Sequence, residues 1–300
     1  MKNMKAFVRV NAESQEVKLI DTLIPTIEPD GVLVKVEAFG VGIHDRYFIP
    51  EQANFPYTIG SEGAGIITEL GNEVSNFSVG DRVIFSTVLQ PQGGSWAEYA
   101  YAKQTALIPL PKELTFAQGA TVPIAGKTAL ESMRALNLKS GDSLFIAGAS
   151  GAIGTLVIQL AASASEKNHT YMKSLGANLS VDYSNSNWKN EVKKWSNGGV
   201  SAALAIQPNT GSDSMEVVND GGRVITVSGD SAYVVPARGI TVKQMGHHIN
   251  SQQKMIELVD AMAKGEIKIV IEKEYPFERA IKALEKTETR HARGKLVVKL

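Results

Sequence analysis

A glycine-rich turn between two apolar runs is the part of the sequence best suited to chemistry. It reads Leu144-Phe-Ile-Ala-Gly-Ala-Ser-Gly-Ala-Ile-Gly154 and is followed by the apolar run 155–160. A buried strand that enters a tight turn and then a helix exposes backbone N–H groups, and these can hold a pyrophosphate with help from the helix dipole. Against the G-x-G-x-x-G pattern, Ala149 takes the first position, and Gly151 and Gly154 match the others. The sequence therefore predicts a dinucleotide-binding turn, with a plain strand-to-helix turn as the alternative.

Three competing motifs each depart from their pattern. A nucleoside-triphosphate loop needs lysine after its last glycine, but Gly154 is followed by Thr155. A hydrolase elbow needs G-x-S-x-G, but its fifth position here is Ala152. Tyr99 and Lys103 have the spacing of a short-chain reductase pair, but they precede the glycine turn, whereas that family places the pair after it. None of these chemistries is expected.

The composition excludes several classes of protein. None of the 300 residues is cysteine, which excludes disulfide scaffolds, cysteine nucleophiles, iron–sulfur clusters and thiolate zinc sites. Lysine and arginine together number 31, and aspartate and glutamate together also number 31, so the net charge is zero. A chain without net positive charge is not attracted as a whole to nucleic acid or to an anionic membrane. Hydrophobic residues make up 43% of the chain, which is typical of a folded globular protein.

The uncharged stretch 143–165 is long enough to span a membrane but does not have the content of a span. Gly148, Gly151 and Gly154 interrupt it, and its first residues are typical of a strand. The first seven residues carry charge, and no apolar segment or cleavage site of a signal peptide follows them. We therefore expect a cytoplasmic protein.

The hydrophobic pattern changes twice along the chain. Short alternating runs broken by glycine and proline are typical of a β-barrel and lie at 6–10, 32–38, 65–70, 82–85 and 97–100. Helical stretches at 116–122, 128–136, 155–162 and 252–263 then alternate with buried-strand runs at 143–147, 202–206 and 223–227. The tail returns to short strands, with one helix beginning near Pro276. We predict an α/β protein in which residues 1–111 and 266–300 form a β-rich domain and residues 112–265 a nucleotide-binding domain.

Several further motifs accompany the glycine turn. They are Gly60-Ser-Glu-Gly-Ala-Gly65, Val79-Gly-Asp-Arg-Val83, Gly93-Gly-Ser-Trp-Ala-Glu-Tyr99, Gly126-Lys-Thr128, Gly221-Gly-Arg-Val224 and His291-Ala-Arg-Gly-Lys295. Together they resemble the zinc-free quinone oxidoreductases of the medium-chain dehydrogenase/reductase superfamily over nearly the whole chain. The resemblance implies a GroES-like β-barrel catalytic domain formed by both chain ends, a Rossmann domain with a doubly wound parallel sheet between them, and a homodimer.

Two positions differ from the zinc-dependent members of that superfamily. Those members have cysteine where Gly42 stands and histidine where Ser61 stands, and their structural zinc loop needs four cysteines. The histidines are more typical of surface or hydrogen-bonding residues, and they are His44, His169, His247, His248 and His291. We therefore expect no metal, and hydride transfer to an acceptor that is already electrophilic.

The same resemblance implies NADPH as cofactor. Four consecutive residues would hold its pyrophosphate, namely Ser150, Gly151, Ala152 and Ile153. Thr128 and Lys295 would lie near the nicotinamide. Lys167 and Tyr183, helped by Ser165, match residues that hold the adenosine 2′-phosphate in relatives. The run Ser165-Glu-Lys167 is equally compatible with an exposed helix start that the serine caps.

Tyr47 matches a substrate-side tyrosine of the quinone reductases. Its phenol could orient or protonate an acceptor oxygen, and a tyrosine that only packs in a cleft wall is the alternative. An asparagine of the family in this segment is replaced by Gly42. We expect a metal-independent NADPH-dependent oxidoreductase that reduces a quinone or an α,β-unsaturated carbonyl. The alternative is a non-catalytic NADPH-binding sensor or partner protein.

One expected element is missing after the glycine turn. A Rossmann unit places a second strand within ~30 residues of the turn. Here the helical stretch 155–162 is followed directly by 163–176, which is typical of the start and body of the next helix. The sequence therefore predicts that a short segment between about Leu160 and Ser165 is lacking. It has either been left out of the numbered chain as disordered or been deleted from the protein, and a deletion should weaken dinucleotide binding.

Overall fold

The computed structural model of the chain describes residues 2–162, 172, 174–246 and 252–300. The chain divides into two compact units. The first, here the barrel unit, comprises Met1–Gly126 and Gln252–Leu300. The second, the sheet unit, comprises Lys127–Ser251.

The strands and helices follow the predicted pattern. The strands are β1 Asn3–Arg9, β2 Val17–Leu23, β3 Gly31–Val41, β4 Tyr57–Thr58, β5 Glu62–Leu70, β6 Arg82–Ser86, β7 Tyr99–Lys103, β8 Leu107–Pro109, β9 Leu144–Ala147, β10 Val200–Ala205, β11 Val218–Thr226, β12 Thr241–Gln244, β13 Ile271–Pro276 and β14 Lys295–Lys299. The helices are α1 Phe116–Gly119, α2 Val122–Leu136, α3 Ala152–Ala162, α4 Trp188–Trp195, α5 Gly211–Glu216, α6 Gln252–Ala263 and α7 Ala280–Glu288. Every predicted strand run overlaps a strand, and every predicted helical stretch overlaps a helix.

The barrel unit contains two antiparallel arrays. In the larger, the order is β13-β14-β3-β5-β6-β8, and β7 also pairs with β3; the smaller has the order β2-β1-β4. Among the described residues of this unit, β13 and β14 are the one pair of strands that runs in parallel. Because β14 comes from the chain end and pairs with β3, both ends of the sequence build one sheet. The core is aromatic, with the rings of Phe39 and Trp96 stacked 5.0 Å apart and Phe277 edge-on to Phe7 at 5.1 Å.

The two compact units divide the chain at different residues from the expected domain limits. Residues 112–126 and 252–265 were expected in the nucleotide-binding domain, but the barrel unit includes 112–126 and the unit boundary falls before α6. The cause is packing, because α1 lies on β3 and β5 and α6 packs on β8. The side-chain amide of Gln252 donates to the carbonyl of Leu107.

The sheet unit is built on four parallel strands in the order β12-β11-β10-β9. The central strand β10 pairs with β9 and β11 on its two sides, and Ala202, Ala203, Leu204 and Ala205 are fully buried in it. Burial on both faces explains why residues 202–205 of β10 form a continuous apolar run. The α/β fold class, with a β-barrel unit and a parallel-sheet unit, is confirmed.

The predicted gap after α3 stays a prediction. The consecutive numbering of the 300 residues is compatible with both explanations, omission from the numbered chain and deletion from the protein. Most of the junction lies outside the described residues. Within the described part of the chain, β9 pairs only with β10 and forms one edge of the sheet. Over that same part, none of the helices combines the length and the apolar character that crossing a bilayer requires.

Candidate functional site

The glycine turn follows β9 at the carboxyl edge of the parallel sheet. Gly148 leaves the strand with φ +93°, a backbone conformation that favours glycine. The N–H of Gly151 then donates to the carbonyl of Gly148 at 3.2 Å, and α3 begins at Ala152. The N–H of Thr155 donates to the carbonyl of Gly151 at 3.0 Å. The predicted strand–turn–helix geometry is therefore present.

The last two glycines of the turn, Gly151 and Gly154, differ in how closely other atoms of the chain surround them. A Cβ on Gly154 would lie 2.5 Å from the carbonyl oxygen of Gly148 and 2.6 Å from Cα of Ala149, so close packing inside the turn requires glycine there. Among the described residues, a Cβ on Gly151 would meet only the Gly148 oxygen, at the ordinary distance of 3.5 Å. This part of the chain does not need glycine at 151, and it leaves the space beside that residue open to a ligand.

Three backbone donors next to Gly151 in the sequence have no partner in the described part of the chain. Among the described residues, no acceptor is found for the N–H groups of Ser150, Ala152 and Ile153, which lie at the N-terminus of the 11-residue helix α3. Unpaired N–H groups at a helix N-terminus favour an anion. The turn thus brings together four residues expected to hold a pyrophosphate, and it fits that group.

The other expected cofactor residues of the sheet unit are less closely gathered. Thr128 is half-buried on α2, nearly two turns after the helix begins. Tyr183 is 76% exposed in a turn that precedes α4. Ser165 and Lys167 lie outside the described residues, as do His169, His247 and His248.

In the barrel unit, Tyr47 lies on a loop that follows β3. This stretch, residues 42–48, is called the tyrosine loop here. Its backbone turns tightly, because the N–H groups of Tyr47 and Phe48 both donate to the carbonyl of His44 at 2.8 Å. The side chains of Tyr47 and Phe48 are about half exposed. The phenol of Tyr47 is therefore accessible to a small molecule.

His44 of the same loop stacks on Phe48. Their ring centroids are 4.7 Å apart and the planes are 8° from parallel. Burial and the positive charge of Arg290 lower the pKa of the imidazole from its ordinary value. A neutral imidazole is thus favoured at neutral pH, and three flat rings lie on the loop.

Asp45 points from the tyrosine loop into the protein. One carboxyl oxygen accepts the N–H of Gly42 at 2.6 Å, and the other is bonded to the hydroxyl of Ser61 at 2.7 Å. The carboxyl is fully buried, and burial raises its pKa from 3.8 to about 6, although the charge of Lys295 and both hydrogen bonds act in the opposite direction. Asp45 therefore holds its proton to a higher pH than an exposed aspartate.

Lys295 forms an ion pair with Glu62 close to Asp45. Lys295 and Glu62 are 7% and 1% exposed, so the pair is buried. The second oxygen of Glu62 accepts the N–H of Ile124 near the start of α2, at 2.8 Å. The ammonium of Lys295, expected near a nicotinamide, thus already has a carboxylate partner inside the barrel unit.

The residues around Gly42 and Ser61 do not fit a zinc ion. Neither residue offers a thiolate or an imidazole, and the neighbouring carboxylates of Asp45 and Glu62 are engaged by Ser61 and Lys295. Across the described ranges, no three His, Asp or Glu side chains are grouped so as to hold a metal.

Asp45 and Glu62 were not identified as site residues from the sequence. Glu62 lies inside the motif Gly60-Ser-Glu-Gly-Ala-Gly65, and Asp45 ends the run Gly40-Val-Gly-Ile-His-Asp45. The available signal was an acidic residue within an apolar strand-like run, because a buried carboxylate requires a partner. Sequence spacing could not name that partner.

Comparison with known protein families gives two matches. Residues 28–112 match the alcohol dehydrogenase GroES-like domain. Residues 175–298 match a family described as zinc-binding dehydrogenase. The first match confirms the GroES-like assignment of the barrel unit.

Similar curated proteins are reductases. The chain is 30% identical to mouse quinone oxidoreductase, over 88% of this chain and 87% of the relative. It is 29% identical to the chloroplastic NADPH-dependent alkenal/one oxidoreductase of Arabidopsis thaliana, over 99% of this chain and 80% of the relative. Among solved structures, the quinone oxidoreductase from Coxiella burnetii superposes with a TM-score of 0.89 and 26% identity, and the match covers all of both chains.

Proposed function

Because the chain belongs to the quinone oxidoreductase family of the medium-chain dehydrogenase/reductase superfamily, we propose that it transfers hydride from NADPH to a quinone or an α,β-unsaturated carbonyl. In this reaction NADPH, a quinone and one proton become NADP⁺ and a hydroquinone. The mouse and Arabidopsis relatives support these two acceptor classes by their names. The proposed chemistry needs an acceptor that is already electrophilic and a protein that positions it.

The observation that carries the proposal is the open glycine turn. Its N–H groups at Ser150, Ala152 and Ile153 would hold the pyrophosphate, and the space beside Gly151 admits it. When bound, NADPH supplies the hydride. Thr128 and Lys295 would act at the nicotinamide end, Lys295 as one half of its ion pair with Glu62. This assignment rests on the fit of the turn and on family resemblance.

The preference for NADPH is the finer part of the cofactor proposal. Lys167 and Tyr183, with Ser165, would bind the 2′-phosphate. Tyr183 supports this role by its exposure, since its phenol is accessible to a ligand. The named relative that uses NADPH supports the same choice.

Tyr47 would act at the acceptor end. Its phenol is exposed and can donate a hydrogen bond to a carbonyl oxygen on which negative charge develops during hydride transfer. The flat rings of His44 and Phe48 beside it would favour planar conjugated acceptors. Quinones and enones share that planarity.

Metal independence, a homodimer and a cytoplasmic location complete the proposal. Glycine and serine at positions 42 and 61 support the first. For the dimer, the support is that β12 is an edge strand among the described residues, while Tyr233 and Val235 near it are 84% and 80% exposed. Gel filtration would test the homodimer, and fractionation of cells that express the protein would test the cytoplasmic location.

The test of the function is direct. Purified protein and NADPH are mixed with each member of a panel of quinones and enones in turn. The loss of NADPH absorbance is followed, and the products are identified. We expect turnover with at least one acceptor class. Tight NADPH binding without turnover of any acceptor would contradict the enzyme assignment and support a sensor, and no NADPH binding would contradict both.

A further inference from the structure

The side chain of Arg46 ties the tyrosine loop to the far end of helix α7. Its Nε lies 2.9 Å from Oε1 of Glu288, and its Nη2 donates to Oε2 at 3.2 Å. Glu288 is the last residue of α7 and stands 242 positions away in the chain. The side chains are 21% and 28% exposed, and Nε and Oε1 themselves are closed to solvent. The pair thus has one hydrogen bond, from Nη2 to Oε2, beside a shielded ionic contact of Nε with Oε1.

The backbone of Arg46 is held as well. The guanidinium of Arg9, which is 8% exposed, donates to the carbonyl of Arg46 at 3.3 Å and also to the carbonyls of Ser14 and Ala12. Arg46 is thus fixed at its main chain by Arg9 and at its side chain by Glu288. Asp45, the preceding residue, is fixed by Ser61.

Tyr47 is the next residue, and its ring has no such anchor. Among the described residues its phenol makes no hydrogen bond, and its side chain is 46% exposed. The direction of the ring therefore depends on the loop backbone, which bends at Tyr47 where the N–H of Ile49 donates to the Tyr47 carbonyl at 2.9 Å. Asp45 and Arg46 are thus anchored, and the ring of Tyr47 follows them without an anchor of its own. A functional group takes its position from the supporting residues around it.

We propose that Arg46 and Glu288 form a positioning pair that sets the phenol of Tyr47 against the acceptor. This inference rests on the proposed function of Tyr47. Arg46 and Glu288 do not themselves touch the reacting groups. Their contribution is to hold the loop in one conformation, so that the hydrogen bond from Tyr47 is made without a search among loop conformations.

Glu288→Gln keeps the shape of the side chain and removes its charge. The loop should then sample more than one position, because Arg46 loses its ionic partner while its main chain remains bound to Arg9. Since a misplacement of about 1 Å can cost a hundredfold in rate, we expect kcat to fall about ten- to hundredfold. The dissociation constant of NADPH should not change. Arg46→Lys, which keeps the charge but loses the planar guanidinium, should give an intermediate loss.

The experiment is a double-mutant cycle between Glu288→Gln and Tyr47→Phe, with kcat, KM and NADPH affinity measured for each protein. A pair that acts through Tyr47 predicts that Glu288→Gln lowers kcat in the parent and has little further effect when Tyr47 is already phenylalanine. Glu274→Gln, which breaks the exposed pair with Lys299, is the matched control and should leave kcat unchanged. Thermal unfolding of each variant reports loss of the fold, and if Glu288→Gln does not fold, Arg46→Lys replaces it in the cycle.

The outcomes separate the two ideas. Equal losses from Glu288→Gln in the parent and in Tyr47→Phe would overturn the positioning role, as would full activity of Glu288→Gln beside an impaired Tyr47→Phe. Full activity of Tyr47→Phe would overturn the proposed function of Tyr47 itself. A loss confined to the protein that carries Tyr47 would support the pair.

Discussion

The hydroxyl of Ser61 is hydrogen-bonded to the carboxyl of Asp45 at 2.7 Å, and both side chains are buried. A protonated carboxyl fits this geometry, because its O–H can donate to the Ser61 oxygen while its second oxygen still accepts from Gly42. An ionised carboxyl must instead be held in a nearly water-free place close to the carboxylate of Glu62. Burial thus outweighs the nearby positive charge of Lys295 and favours the neutral form.

This balance predicts a pH-dependent stability. The pKa of Asp45 is raised from 3.8 to about 6, so the folded protein binds this proton more tightly than the unfolded chain does. The stabilisation is present at low pH and is lost as the pH rises through 6. Relative to the parent, Asp45→Asn should therefore gain about 2 kcal/mol of unfolding free energy between pH 4.5 and 7.

Urea unfolding of both proteins across this pH range measures the gain. Asp220→Asn, which changes an exposed carboxylate, is the control and should show no such trend. Parallel pH profiles for Asp45→Asn and the parent would contradict a raised pKa.

Tyr47→Phe should lower turnover about a hundredfold, because one hydrogen-bonding or proton-donating group at the acceptor oxygen is lost. NADPH affinity should stay unchanged, since the phenol is proposed to contact the acceptor and not the cofactor. Steady-state kinetics with several quinones and enones, together with NADPH titration, measure both quantities. Tyr233→Phe, an exposed tyrosine of the sheet unit, should behave like the parent. Unchanged kinetics of Tyr47→Phe would return Tyr47 to a packing role.

Much of the fold was predictable because its signals are local. Alternation with period two marked the barrel strands, and a buried run followed by glycines marked β9, the turn and α3. Gly154 is fixed by atoms within six residues of it, so the motif alone predicts its role.

The buried network could not be predicted in the same way. The contact between Arg46 and Glu288 joins residues 242 positions apart, and the pair of Glu62 and Lys295 also joins distant segments. Such contacts follow from the pairing of β14 with β3, which closes the barrel with both chain ends. The residue types indicate that buried charges need partners, but the identity of those partners depends on the order of the strands in the sheet. The interpretation of Lys295 as a cofactor residue therefore missed its carboxylate.

Purified protein should contain no stoichiometric zinc, and chelators should leave reductase activity intact. The reason is the donor set, since Gly42 has no side chain to bind a metal and Ser61 is engaged with Asp45. Elemental analysis and assays with and without a chelator check this. One equivalent of tightly bound zinc would show that the donor set has been misjudged.

NADPH should bind more tightly than NADH. Lys167 would supply a positive charge for the 2′-phosphate. The sequence has no acidic residue at a clear strand end after the glycine turn to bind the free ribose hydroxyls, and Glu166 is the one nearby acid. Lys167→Ala should weaken NADPH about tenfold, as expected for one charged hydrogen bond, and leave NADH nearly unchanged. Lys194→Ala on α4 is the control. Equal or tighter binding of NADH to the parent would refute the preference.

Gly151→Ala and Gly154→Ala should separate cofactor binding from folding. A Cβ at 151 has ordinary clearance from the chain, 3.5 Å to the Gly148 oxygen, so thermal stability should be that of the parent. The same Cβ would occupy space that the pyrophosphate needs, so NADPH affinity should fall at least tenfold. A Cβ at 154 would lie 2.5 Å from the Gly148 oxygen and must displace backbone, which should cost about 1–3 kcal/mol of stability as well as binding.

Thermal unfolding and NADPH titration of the two variants measure both effects side by side. The informative result is the contrast, because each variant adds the same single methyl group within one turn. Gly151→Ala with parental stability and weak NADPH binding would place the cofactor phosphates against this backbone. Gly151→Ala that binds NADPH as tightly as the parent would mean that the open space beside residue 151 is not the phosphate site, and the turn would then be a structural link between β9 and α3.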